Sequence, residues 1–147
     1  MTPESLVHWR AHLQLVGPQM TDIQAEACAR LAIVLLCGEQ SAVQIFSAEV
    51  ERGLAPASAL SALRDIEIDE TLHEQALLSF CEFLPTPDDA HVLKRRAQRF
   101  FLALGRTSKL AQQFDRISHL DSAVCKIMWH VENSSIGKLS PLHRIAS

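Results

Sequence analysis

A few polar side chains interrupt stretches that are otherwise apolar at helical period, and they are of types that do chemistry together. Positions spaced by four and three residues read Ala59, Leu63, Ile66, Glu70, His73, Leu77 and Phe80. This is a core stripe broken mid-length by a carboxylate and an imidazole. Residues three apart lie one turn up on the same helix face, so Glu70 and His73 reach toward one point. An upstream stripe, Ala25, Cys28, Ala32, Leu35, Glu39, Ala42 and Phe46, carries the same anomaly at Glu39. A third, Leu110, Phe114, Ile117, Asp121, Val124, Met128 and Val131, carries Asp121, with His119 beside it and Cys125 one turn on. Carboxylates and a neutral imidazole converging on one point suit a divalent first-row metal, iron or manganese. A second reading uses the same residues without metal. Arg96 and Arg99 flank the stripe Leu93, Ala97, Phe100, Leu104. Leaning inward, they would pair with Glu39 and Glu70 in a structural ion-pair network with His73.

The elements that must position these groups are marked by their punctuation. Thr2-Pro3-Glu4 is an N-cap, a first-turn proline and a first-turn acid, opening a short helix over 3–16 that Gly17-Pro18 ends. Leu6, Trp9, Leu13 and Val16 share one side of it. Thr21 with Gln24 forms a capping box, and the helix it opens runs to Arg52, with Gly53 as its stop. Pro56 starts the next helix and Pro85 closes it; Thr86-Pro87-Asp88-Asp89 then repeats the cap, proline and acid pattern. The following helix reaches at least Leu104. Gly105–Ser108 carries both a stop and a cap, which favours a turn there over a helix running through to Ser118. The segment 133–147 reads as an irregular tail. Two long helices joined by about three residues fold back antiparallel. The chain is therefore expected to be a single all-α domain over 1–147, its residues 22–132 forming a four-helix bundle with an extra short N-terminal helix. Near-equal hairpin lengths bring Glu39, Glu70 and His73 together at mid-bundle.

With that architecture the chain resembles the ferritin-like di-iron carboxylate superfamily. Glu39 matches its first-helix carboxylate, and Glu70-Thr71-Leu72-His73 matches its Glu-x-x-His motif. Asp121 stands for the fourth-helix carboxylate, although Val124 occupies the place of the following His. The resemblance implies iron held by Glu39, Glu70, His73 and Asp121, and oxidase or oxygen-dependent activity on an unidentified small-molecule substrate. The other class left open is a non-catalytic helical bundle that binds a partner protein.

The whole chain narrows the remaining classes. Its 147 residues are 48% hydrophobic and 21% charged, which is globular composition. The net charge of −3 and the absence of a basic stripe argue against nucleic acid as the main partner. Five glycines supply no phosphate loop. Cys28, Cys37, Cys81 and Cys125 show no Cys-x-x-Cys spacing and read as buried thiols of a reducing compartment. The longest apolar run, Leu31–Cys37, falls short of the ~20 residues that span a bilayer. A cytoplasmic homo-oligomer, a dimer, is the expectation, with no membrane partner.

Overall fold

The computed structural model describes residues 2–16, 20–53, 56–106 and 110–132. Among the described residues five helices follow one another: α1 (Pro3–Val16), α2 (Asp22–Arg52), α3 (Ala57–Cys81), α4 (Ala90–Gly105) and α5 (Leu110–Glu132). Among the described residues there is no strand, so the chain is all-α. The expected tail, 133–147, lies outside the described residues.

α2, 31 residues and about 46 Å long, is the axis of the fold. Its start is set by the anticipated capping box: the Thr21 hydroxyl accepts from the Gln24 N–H at 3.3 Å, and the Gln24 side chain accepts from the Thr21 N–H at 2.9 Å. Its end is Gly53 at φ 61°, whose N–H reaches the Glu49 carbonyl. Left-handed backbone of this kind strains any residue with a Cβ. α3 packs antiparallel along one side of α2. α4 packs along another side and runs the same way as α2. Asp89 sits by Arg30, the Lys94 carbonyl by the Cys37 thiol, and Phe101 by Gly38. α5 turns back along α4, with Arg116 donating to the Leu104 carbonyl at 3.4 Å.

The core falls into two clusters. In the larger, Leu6, Trp9 and Leu13 of α1 close over Cys28 and Ala32 of α2 and Ala76, Leu77 and Phe80 of α3. The Trp9 indole N–H donates to the Ala76 carbonyl at 3.0 Å, and its ring sits 6.0 Å from that of Phe80. Arg10 donates to the Ser79 hydroxyl at 2.8 Å, which fixes α1 on the C-terminal half of α3. In the smaller cluster, Cys37 of α2 meets Ala97 and Phe101 of α4, with Leu120 of α5 packed against them.

Several expectations needed correction. α3 stops at Cys81, where Phe83 and Leu84 N–H groups turn back three residues to Phe80 and Cys81, four residues ahead of Pro85. Thr86 does not cap α4. The helix opens at Ala90, and the Asp89 carboxylate pairs with Arg30 instead of capping. On α4 the inward aromatic is Phe101, while Phe100 is 52% exposed. The reason is a notch on α2: a Cβ built on Gly38 would lie 3.0 Å from the Phe101 ring. Cys28 and Cys37 are buried as expected, but Cys81 is half-buried and Cys125 exposed. Finally, α2 contains an 18-residue window of mean hydropathy 1.5, long and apolar enough by length and composition to cross a membrane. The shorter uninterrupted run had concealed this. Only 17% of that window is buried within the chain, so α2 carries more apolar surface than its neighbours cover.

The notch gives a sign that helix propensity alone would get wrong. Gly38→Ala should gain up to about 1 kcal/mol in an isolated helix. Here the added methyl forces Phe101 off its seat, at about 1–3 kcal/mol. Urea unfolding is expected to show a net loss of about 1 kcal/mol, and the loss should shrink when Gly38→Ala is combined with Phe101→Leu.

Candidate metal centre

The two stripes that carry Glu39 and Glu70 face each other across the α2–α3 seam. Below mid-length the seam is closed by buried Phe46 and Leu63, and above it by the cluster around Ala76 and Leu77. Between these plugs sit Glu39, Glu70 and His73. One ligand atom from each lies within 4.8 Å of the others. His73 Nδ1 is 3.6 Å from a Glu70 oxygen and 3.8 Å from a Glu39 oxygen. Each side chain retains only 20–22% of its exposure. The antiparallel register thus assembles the three residues that spacing had placed on two separate stripes.

These distances are slightly long for hydrogen bonds. Donors bound at about 2.1 Å to one ion stand roughly 3.0–3.4 Å apart, so small side-chain rotations would bring all three onto a common cation. Burial pulls the Glu70 carboxyl upward, but the neighbouring His73 imidazole and a hydrogen bond with Glu39 outweigh it, holding Glu70 below its ordinary value. A hydrogen bond between two carboxyl groups needs a proton on one of them. A divalent cation would take over that proton's role with a larger charge.

The seam on either side is fastened by two further carboxylates that sequence reasoning missed. Glu74 accepts from the Gln40 amide at 3.0 Å, and Glu67 accepts from the Ser47 hydroxyl. Both carboxylates are half-buried. Their positions three before and four after Glu70 were the available signal. They lock α2 to α3 on both sides of the cluster, so the donor separations are set by the seam and not by loops.

The other candidates separate cleanly. Arg96 and Arg99 are exposed on α4, whereas Glu70 interacts with His73 and Glu39. Asp121 lies on α5, but its side chain falls outside the described residues. His119, its sequence neighbour, is exposed and turned to the Asp115 carbonyl at 2.7 Å. His8 and His91 are exposed. No protein-family model, curated protein or solved structure matches this chain.

The depressed titration of Glu70 has a definite consequence for the metal-free protein. A carboxyl whose folded pKa lies below its unfolded value stabilises the fold above the unfolded pKa, and that stability is lost as pH falls through the folded one. Wild-type stability should therefore decline below about pH 4.5. In Glu70→Gln that part of the decline should vanish. Urea midpoints at a series of pH values from 6 to 3, in the presence of chelator, measure it.

Proposed function

We propose that this protein is a ferritin-like helical bundle whose α2–α3 hairpin binds a divalent metal, iron or manganese, through Glu39, Glu70 and His73. The observation that carries the reading is the convergence of these three donors, from two helices, between apolar plugs of the α2–α3 seam. Two carboxylates and one imidazole are a donor set suited to such ions. Bound iron would supply oxygen-dependent oxidation chemistry. The chain's own contribution is to orient the donors through the Gln40–Glu74 and Ser47–Glu67 bonds and to restrict water around them.

In the ferritin-like arrangement a full two-metal set takes one Glu from each of two helices and one Glu-x-x-His from each of two more. α2 and α3 hold half of it. A second copy of the chain, its α2–α3 hairpin laid against the first about a two-fold axis, would supply the other half and complete a four-helix bundle. The largely uncovered apolar surface of α2 favours this dimer. Asp121 of the same chain is the alternative donor for the second half.

A competing reading keeps the cluster as a structural network in a protein-interaction bundle, since Glu39, Glu70 and His73 already interact without metal.

Thermal unfolding with Fe(II) under anaerobic conditions, or with Mn(II), tests the proposal. A cation at 100 times its Kd raises stability by about 2.7 kcal/mol. Wild type should gain on this scale, whereas Glu39→Gln, Glu70→Gln and His73→Gln should each gain little. A wild-type melt indifferent to metal, with metal-independent loss in Glu70→Gln, would sink the metal reading and leave the network.

The source of the second half is settled by sedimentation and metal titration together. A dimer with unchanged stoichiometry in Asp121→Asn is the expected result. A monomer that loses half its metal in Asp121→Asn would assign that half to α5.

A further inference from the structure

A second region of the molecule has the form of a binding site and plays no part in the seam. Residues 82–89 arch from the end of α3 to the start of α4, and beneath them lies a cavity of about 280 Å³. Its floor is Ala29, Ile33 and Leu36 of α2, and Leu84, Pro85 and Pro87 form the arch. The thiols of Cys37 and Cys81 add two further weakly polar walls. Small-molecule sites are commonly apolar pockets of this kind with a few polar groups at fixed points. An apolar cavity of about 150 Å³ admits a benzene-sized guest, so this one has room for roughly ten heavy atoms.

The arch is braced against collapse. Two prolines fix its backbone, and Pro87 is buried. The Arg30 guanidinium holds Asp89 at 2.8 Å and Glu26 at 3.0 Å, tying the base of α4 to α2. That pairing also commits the Asp89 carboxylate, at the end of the arch, to Arg30. Thr86, His91 and Lys94 stand at the cavity, and Lys94 has no acidic partner among the described residues. The cavity therefore has an apolar body and a cationic lip.

We propose that this cavity binds a small amphiphilic carboxylate, its apolar body against Ile33, Leu36 and Pro85 and its carboxylate at Lys94. Binding here does not depend on the seam residues, so it stands or falls apart from the metal reading.

The test uses octanoate as probe, with 1-octanol matched for the apolar body and acetate for the head group, on chelator-treated full-length protein followed by methyl NMR. Octanoate should bind saturably and shift the Ile33, Leu36 and Leu84 methyl resonances. Octanol should bind roughly tenfold more weakly, the difference a charged hydrogen bond makes. Acetate should not bind. Lys94→Gln, at an exposed position, should abolish the preference for octanoate over octanol, and Ile33→Phe should weaken both ligands by filling the cavity. Glu70→Gln should leave the octanoate affinity unaltered, whatever it does to metal binding. No saturable shift at these methyls, equal affinity for octanoate and octanol, acetate binding as well as octanoate, or a preference that survives Lys94→Gln would each overturn the proposal. Should Ile33→Phe fail to fold, the wild-type methyl map and the Lys94→Gln comparison still decide it.

Discussion

The antiparallel seam between α2 and α3 is the constraint from which the rest of the structure follows. The few residues between α2 and α3 oblige two long helices to run back along each other, and in the register they adopt Phe46, Leu63, Ala76 and Leu77 are all buried. α1 adds to this seam at one end, through Trp9 and Arg10, and α4 adds to its flank through Phe101. The larger core cluster includes residues of both seam helices, and the smaller rests on α2. Because helix stability in a folded chain comes mostly from packing an apolar face, the hairpin is what makes the shorter helices viable.

Placing Glu39, Glu70 and His73 in such a seam carries a desolvation cost that apolar residues would not incur. The structure limits the cost in two ways. The three groups keep a fifth of their exposure, and they face one another, so each partly compensates the next. The surrounding amide and hydroxyl bonds to Glu74 and Glu67 satisfy the flanking acids separately. Carboxylates used purely as structural glue gain little over apolar packing. Here Glu39, Glu70 and His73 meet at one level, between the separately paired Glu67 and Glu74.

Much of this was readable from residue order alone. Helical period fixed which faces of α2 and α3 meet, and the Thr21–Gln24 box and Gly53 marked the ends of α2 to the residue. The grouping of Glu39 with Glu70 and His73 followed from period plus hairpin geometry. What escaped was decided by partners distant in sequence. Asp89 resembled part of a capping pattern until Arg30, on another helix, claimed it. Phe100 and Phe101 are equivalent by hydropathy, and only the missing side chain at Gly38 chooses between them. The partners of Glu67 and Glu74, Ser47 and Gln40, lie on the other helix of the hairpin and cannot be read from local order. The excess apolar surface of α2 was hidden by judging apolarity from unbroken runs.

Gly38 and Glu39 are adjacent, and consecutive residues of a helix project about 100° apart. Phe101 seated at Gly38 therefore works as a key in a slot. It stops α2 from rotating about its axis or sliding the 1.5 Å that would advance it by one residue. The next carboxylate along the chain inherits that indexing. The angular setting of Glu39 toward α3 is thus held from another flank of α2, by an aromatic ring seated on the neighbouring residue. A disturbance at the α4 face would be felt in the seam as a turn of the screw.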